Sequence, residues 1–348
     1  MGQTGKKQRR FQTAALAVCM MAAACLSLSP ADSVAALAGT QLAVSETAPE
    51  PEQWTVPAGK VIPMGKAVGI KLFSDGVLVV GLSGVETGNG QASPGKECGL
   101  KAGDVITHIN GSEVDTIEQV QKLLSQQGDS RLTIQAVRSN RSLQLTAQAV
   151  ENKEGVPQLG VWLRDSMAGI GTVTFYDPKT GSFAALGHGI NDTDTATLMP
   201  LESGSIMPAS VSEVKKGLPG QPGELHGQFE LTKDLGSLCA NTDRGIFGQS
   251  GQLAVPKGVR AMEMAERSEV KTGKATILSN VRGDKVEEFE VELLCVDQAS
   301  TGTRNMLLKV TDPKLLELTG GIVQGMSGSP IIQDGKLVGA VTHVCVFG

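Results

Sequence analysis

A serine flanked by glycines constrains the fold of this chain more than any other feature. Ser327 lies in the segment Gly325–Gly328, directly before two short β-type runs, 330–332 and 337–341. Asp334-Gly335 separates these runs and is typical of a type I′ hairpin turn. Glycines let the backbone turn sharply, so that the amides of Gly325 and Ser327 can point at one spot. Such a serine is either a nucleophile beside oxyanion donors or part of a β-turn without chemistry.

The second half of the chain, residues 157–348, consists of short β-type runs separated by glycines and has no long helical period. Aromatic residues make up only 3% of the chain, so its cores must be built from Val, Leu, Ile and Ala. Regularly punctuated short strands predict an all-β sandwich or barrel. The serine turn resembles that of chymotrypsin-like proteases, which implies a double β-barrel protease domain over residues 157–348.

Residues 64–150 form an earlier unit with its own pattern. Two β-type runs, 68–72 and 77–80, are split by Ser74-Asp75-Gly76, and Thr116 is placed to cap a helix. The glycine-rich pattern from Gly99 to Gly111 resembles a PDZ domain, a module that adds an extended peptide as a strand beside a helix. The resemblance implies a peptide ligand. The alternative is a PDZ-shaped packing module that binds no ligand. The residues predicted to contact the peptide are Val68, Gly69 and Ile70.

The N-terminus reads as an export segment. Residues 1–38 combine a basic start, an apolar run from Ala14 to Leu26 and an Ala-Leu-Ala sequence before Gly39. The apolar run is short for a membrane span, so a cleaved signal peptide is favoured over an anchor. Residues 39–63 are polar, acidic and proline-rich, which predicts an exposed linker. We therefore expect the chain to be exported, with membrane association through its N-terminus as an alternative to cleavage.

Charge and cysteine content exclude several functional classes. The net charge is −5 and no basic stripe follows the N-terminus, which argues against a nucleic-acid partner. The six cysteines include no CxxC pair, so we expect neither a metal site nor a cofactor. Scattered, buried thiols are the expected state of these cysteines.

Histidine placement suggests a general base. His188 ends an apolar run between two glycines, which places an imidazole at the rim of a cleft. His226 lies in a loop and ranks second. His343 follows the hairpin, and together with Thr342 and Val344 it is predicted to lie on a strand that lines the substrate groove. A base next to Ser327 would make the serine hydroxyl nucleophilic.

The acid that orients the base is less clear from the sequence. Asp312 ends a β-type run shortly before Ser327, whereas Asp192 and Asp194 closely follow His188. Asp312 is also followed by Pro313, the pattern of a helix N-cap and first helical residue. Spacing alone leaves the roles of acid and cap equally open.

Four stretches resemble the sporulation stage IV protein B peptidase family of spore-forming Firmicutes, and they are residues 185–190, 241–248, 304–313 and 319–344. The resemblance implies a chymotrypsin-like serine protease with His188 as base, Asp312 as acid and Ser327 as nucleophile. It also implies secretion by the forespore into the space between the two spore membranes. There the family cleaves a regulatory subunit that restrains an intramembrane metalloprotease, which in turn matures the late mother-cell sigma factor.

Two features affect the prediction. Asp312 and Ser327 are close in sequence, whereas acid and nucleophile are far apart in trypsin, so the assignment of Asp312 as the acid depends on the family match. The printed chain ends at Cys345–Gly348, where the family continues, and we expect a truncated and therefore incompletely closed protease barrel. The rival function is a non-catalytic signalling protein that acts through its PDZ domain, with an inactive protease unit.

Overall fold

The computed structural model describes residues 59–127 and 130–344. The predicted export segment, most of the predicted linker and Cys345–Gly348 lie outside the described residues. Within the described ranges, no helix combines the length and apolar character needed to cross a membrane. Lys60–Pro63, predicted as linker, already belong to the first strand, and Val61 is fully buried. Lys60–Pro63 therefore do not belong to an exposed linker.

Strands dominate the described residues, as the sequence predicts, but β1 with 23 residues and β10 with 16 are longer than expected. The strands are β1 Lys60–Leu82, β2 Val85–Thr87, β3 Gly90–Ala92, β4 Val105–Ile109, β5 Ser112–Glu113, β6 Leu132–Arg138, β7 Arg141–Ala147, β8 Val150–Glu151, β9 Pro157–Gln158, β10 Val161–Tyr176, β11 Ser182–Ala185, β12 Ser203–Lys215, β13 Glu224–Phe229, β14 Gly236–Thr242, β15 Gly245–Gln249, β16 Met262–Glu263, β17 Gly273–Arg282, β18 Lys285–Val296, β19 Met306–Val310, β20 Pro330–Gln333 and β21 Lys336–Ala340. The helices are α1 Pro94–Glu97, α2 Ile117–Gln127 and α3 Pro313–Thr319.

Six strands form a closed ring of pairings. β1 pairs with both β10 and β12, and the ring continues through β14, β15 and β11 back to β10. Met64, Val68, Phe183, Ile206 and Ile246 are buried together in its core. Val, Ile and Phe suit a pleated surface buried on one face, which explains why these short runs become strands.

A second sheet contains the serine turn and has the strand order β19-β18-β17-β20-β21. The β20–β21 hairpin turns at Asp334 and Gly335, whose φ angles are 51° and 76°. Positive φ at both turn residues confirms the predicted type I′ hairpin. Among the described residues, β19 and β21 are not paired with each other and leave this sheet open. The predicted double barrel is therefore not confirmed, although the chain is mainly β.

The PDZ-like region shares its sheet with the ring. The last residues of β1 pair with β4, and β6 and β7 extend the sheet beyond β4. Helix α2 packs on this sheet through Val120 and Leu124. The Thr116 hydroxyl accepts a hydrogen bond from the Gln119 amide at 3.2 Å, which confirms the predicted cap.

The peptide-contact prediction at Val68, Gly69 and Ile70 is wrong. The two β-type runs expected on either side of Ser74–Gly76 are one continuous strand, β1, and β10 pairs with it on both sides of that segment. Val68–Ile70 pair with β10 on one side and β12 on the other. A third strand has no free edge there, and a Cβ on Gly69 would lie 2.6 Å from Phe229.

The described cysteines are free thiols. Cys98 is half-buried, whereas Cys239 on β14 and Cys295 on β18 are exposed. Cys239 follows the buried Leu238 on β14, whereas Cys295 follows the exposed Leu294 on β18. The expectation of buried thiols is therefore wrong for Cys239 and Cys295.

Candidate active site

The turn that carries Ser327 joins α3 to β20. Gly325 and Gly328 have φ angles of 95° and 98°, a region that strains other residues, so both glycines are required by the turn. The Ser327 hydroxyl donates a hydrogen bond of 3.0 Å to the carbonyl oxygen of Thr342. The nucleophile candidate is therefore held against the segment that follows the hairpin.

Thr172, a buried residue of β10, fixes this turn from the opposite side. Its amide donates to the Ser327 carbonyl at 3.1 Å, and its hydroxyl donates to the Gly325 carbonyl at 2.9 Å. The Thr172 carbonyl accepts from the Leu186 amide at 3.1 Å, two residues before His188. One threonine thus connects the serine turn to the segment that carries the candidate base.

The amides of the serine turn alternate between bonded and free. The Met326 amide donates to Val323 at 3.2 Å, and the Gly328 amide donates to Val341 at 2.7 Å. The amides of Gly325 and Ser327 have no acceptor among the described residues. Two free donors at the nucleophile are what an oxyanion hole requires.

His188 follows β11 on a sharp bend, with Leu186 and Gly187 at φ angles of 67° and 68°. Its Nδ1 lies 2.8 Å from the carbonyl oxygen of Gly189. A carbonyl can only accept, so Nδ1 carries the proton and Nε2 keeps the lone pair that a general base needs. Gly187 packs against Thr342, since a Cβ on Gly187 would lie 2.9 Å from its methyl carbon. Ser327 and the bend that carries His188 therefore both adjoin Thr342.

His343 supplies a second imidazole beside His188. Its ring centroid lies 5.5 Å from that of His188, with the rings tilted by 48°. Partial burial lowers the pKa of His343, and the positive charge of Arg304 and the nearby His188 lower the pKa further. A cavity of about 630 Å³ adjoins this ring and is lined in part by Arg304, Met306 and Val344. These effects favour the neutral form of His343 beside an open space.

The predicted substrate-binding residues lie beyond the hairpin. Strand β21 ends at Ala340, so Thr342, His343 and Val344 are not on a strand, contrary to the prediction. The Val341 amide donates to Ser329 at 2.9 Å, which ends regular pairing with β20 and directs the chain over the serine turn. Contact of these three residues with substrate stays a prediction.

Asp312 is a helix cap in this structure. One carboxylate oxygen accepts from the Leu315 amide at 3.0 Å, and the other accepts from the Glu290 amide at 3.3 Å. The N-cap interpretation is confirmed, and Pro313 is the first helical residue. Within the described part of the chain, no hydrogen bond joins Asp312 to a histidine. Its role as the acid stays a prediction from family resemblance.

The other candidate acids are paired with Arg164 of β10. Asp192 is buried and accepts from the Arg164 guanidinium and from three groups of its own loop, while Asp194 lies 2.9 Å from the same guanidinium. These carboxylates hold the loop after His188. The residues that the structure describes include no group of three His, Cys, Asp or Glu side chains arranged to hold a metal ion.

Sequence reasoning missed the β14–β15 turn. Asn241 accepts from the Ile190 amide at 2.8 Å and donates to the Ile190 carbonyl at 3.0 Å, which places this turn against the His188 bend. Asp243, at its tip, is exposed, and its carboxylate has no hydrogen bond or ion pair among the described residues. Asp243 lies in a stretch that carries the family resemblance, but nothing in the sequence gives it a role.

Comparison with known proteins gives two family matches. Residues 154–347 match the model described as SpoIVB peptidase S55, and residues 89–138 match a PDZ domain. No curated protein matches the chain. The crystal structure of the PDZ domain of an SdrC-like protein from Listeria monocytogenes is 23% identical, covers 26% of this chain and 87% of its own, and has a TM-score of 0.21.

Proposed function

Because this chain belongs to the SpoIVB peptidase S55 family, we propose that it is a serine endopeptidase in which Ser327 is the nucleophile and His188 the general base. One observation carries the proposal: Ser327, with two free amides in its turn, and the bend that carries His188 both adjoin Thr342. A nucleophile, a base and oxyanion donors are the parts that acyl transfer requires. The protonated Nδ1 of His188 leaves Nε2 ready to accept a proton.

The reaction begins when the Ser327 hydroxyl turns from the Thr342 carbonyl towards His188. Nε2 takes the hydroxyl proton as the serine oxygen bonds to the substrate carbonyl carbon, and the carbonyl oxygen becomes an oxyanion. The amides of Gly325 and Ser327 donate to that oxyanion, with each such donor typically worth about 10²–10³ in rate. The hydroxyl must move for this step, and hydrogen bonds between catalytic groups often tighten only when substrate binds.

The oxyanion then collapses and the peptide C–N bond breaks. The leaving amine takes its proton from the His188 imidazolium, and an acyl-enzyme on Ser327 remains. Water, deprotonated by the same histidine, attacks the ester and restores the serine hydroxyl. The segment Thr342–Val344 borders the serine turn and is the proposed contact for the substrate backbone, while Asp312 is the acid that the resemblance implies.

The family name implies a role in sporulation. The proposed function also includes a specific substrate and the result of its cleavage. The substrate is a regulatory subunit of a membrane complex, with a domain outside the cytoplasm. Its cleavage frees an intramembrane metalloprotease and so activates the late mother-cell sigma factor. Export into the space between forespore and mother cell, through the N-terminal segment, brings enzyme and substrate together.

A fluorophosphonate probe tests the nucleophile directly. We expect the purified full chain to be labelled on Ser327, and Ser327→Ala to remove the label. Ser329 lies in the same turn and hydrogen-bonds to Ser279 at 3.1 Å, so the double variant Ser279→Ala and Ser329→Ala is the matched control. Replacing both partners leaves no unpaired hydroxyl, and labelling should persist. Absence of labelling in the folded wild-type protein would favour the non-catalytic signalling protein.

A further inference from the structure

The cavity beside His343 is bordered by apolar side chains that remain in contact with water. Its volume of about 630 Å³ is within the range of sites that bind small ligands or short peptide segments. Val310, Ile331 and Val341 are buried residues of its lining, whereas four leucines of the same lining are 38–58% exposed. Exposed apolar side chains around a concave surface mark a place where another molecule binds. The four leucines are Leu218, Leu294, Leu307 and Leu316.

The charged side chains of this lining are all cationic. Among the described residues, Arg304 and Lys309 line the cavity and no aspartate or glutamate does. Lys309 lies opposite Glu292 on the neighbouring strand β18. No described carboxylate pairs with the Arg304 guanidinium. A guanidinium presents a planar fork of donors that matches a carboxylate, so the unpaired Arg304 favours an acidic group in the cavity.

The backbone on either side of Arg304 is fixed. The Asn305 carbonyl accepts a hydrogen bond of 2.8 Å from the Asp297 amide, which closes the loop between β18 and β19. Met306, the first residue of β19, packs against β21, since a Cβ on Gly339 would lie 2.5 Å from the methyl carbon of Met306. Arg304 is therefore held beside the cavity although its side chain is exposed.

The cavity adjoins the candidate active site. Thr342 lines it, and the carbonyl oxygen of Thr342 accepts the hydrogen bond from the Ser327 hydroxyl at 3.0 Å. His343 lines it as well, and the ring of His343 lies 5.5 Å from that of His188. The positive charge of Arg304 lowers the pKa of His343, so the guanidinium acts on the same space. A peptide bound with its scissile bond at Ser327 would place a nearby side chain in this cavity.

We propose that this cavity is a specificity site in which Arg304 selects peptides that carry an acidic side chain beside apolar ones near the scissile bond. Selection during cleavage rests on the proposed function, whereas binding in the cavity does not. Arg304 pairs with a carboxylate of the substrate, while Ser327 and His188 act on the peptide bond. A lysine at the same position of the substrate would meet an unpaired like charge, so cationic peptides are rejected.

Binding is measured first, in the full chain with Ser327→Ala. The probes are dye-labelled decapeptides of Ser, Ala and Leu in which one position is Glu, Gln or Lys, and that position is moved along the peptide. At the best position we expect Glu to bind at least about tenfold more tightly than Gln in fluorescence anisotropy, because a guanidinium–carboxylate pair is charge-assisted. Lys should bind more weakly than Gln. Equal binding of the Glu and Gln peptides at every position would overturn the inference.

Substitutions in the same background assign the preference to one side chain. Arg304→Gln should remove the preference for Glu, and Arg304→Glu should reverse it in favour of Lys. Arg141→Gln removes the same charge from an exposed position on β7 and is the matched control. Lys309→Gln should weaken the preference less than Arg304→Gln, because Glu292 lies opposite Lys309. Loss of the preference in Arg141→Gln, or no gain for Lys in Arg304→Glu, would overturn the role of Arg304.

Cleavage of the same peptides is measured in the full chain with Ser327 intact. We expect kcat/KM to be at least about tenfold higher for the Glu peptide than for the Gln peptide, and this ratio to fall in Arg304→Gln. Equal kcat/KM for both peptides would overturn the specificity role and leave the proposed peptidase function standing. Charge-selective binding in a chain that cleaves no peptide would instead mean that the proposed function has failed while the cavity site stands.

Discussion

Asp312 follows β19 and Ser327 precedes β20, two strands of one sheet, yet the hydrogen bonding of the two turns differs. Both oxygens of the Asp312 carboxylate accept from backbone amides. The Ser327 turn keeps two amides free, and the Ser327 hydroxyl donates to the Thr342 carbonyl. Both oxygens of the Asp312 carboxylate thus have partners, whereas the Ser327 turn has two backbone amides that are available to a ligand.

This difference shows what distinguishes a site from a structural turn. A capping carboxylate contributes about 1 kcal/mol to stability by saturating its hydrogen bonds. Catalytic groups must instead remain available to bonds that form only in the transition state. Substitutions at four positions test the contrast, from the largest expected effect to the smallest.

Ser327→Ala should lower the rate of peptide cleavage by at least about 10³, because members of a catalytic set act as a unit. The fold should survive, since Gly325 and Gly328 keep the turn. Steady-state kinetics and thermal unfolding of the same preparation check both statements. Cleavage by the variant at the wild-type rate would remove Ser327 from the nucleophile role.

Thr172→Val should lower kcat about two- to tenfold, because one hydrogen bond to the Gly325 carbonyl is lost at a typical net value of about 0.5–1.5 kcal/mol. The Thr172 amide still bonds Ser327, so the turn loosens without collapse. Thr172→Ser keeps the hydroxyl and is the matched control. A kcat in Thr172→Val equal to that of wild type would show that the hydrogen bond from Thr172 to the Gly325 carbonyl does not contribute to catalysis.

Asp312→Ala should lower the free energy of unfolding by about 1 kcal/mol, whereas Asp312→Asn should keep it, because asparagine caps helices as well as aspartate. Denaturant unfolding checks the stability, and equal losses in both variants would contradict the cap. The cleavage rate of Asp312→Asn decides the family assignment. A rate lower by about 10⁴ at unchanged stability would assign the acid role to Asp312. The cleavage rate of Asp243→Asn, in the turn beside His188, is measured in parallel.

His343→Gln should reduce the acid sensitivity of the fold. The pKa of His343 is lowered in the native state, so the unfolded chain binds that proton more readily. The native state therefore loses stability as the pH falls below the unfolded value of about 6.5, and is unaffected above it. Melting temperatures at pH 8 and pH 5 should differ less in His343→Gln than in wild type. His108→Gln, in the PDZ-like region, is the control, and an identical pH response in both variants would contradict the assignment.

The sequence by itself determined the local features. Asp334-Gly335 specified its hairpin, Thr116 its helix, and Gly325 and Gly328 the turn around Ser327, because turn and cap chemistry acts over a few residues. The same locality explains why Asp312-Pro313 correctly suggested a cap. Motifs of this kind also led to the peptidase and PDZ families.

Only the tertiary structure decided which distant residues meet. At Val68–Ile70, β1 pairs with β10 on one side and with β12 on the other, so these residues have no free edge for a peptide. Thr172 meets Ser327 across 155 residues, and Arg164 reaches the loop after His188. No local pattern encodes such contacts, because they depend on strand register and on which edges the neighbouring strands leave open.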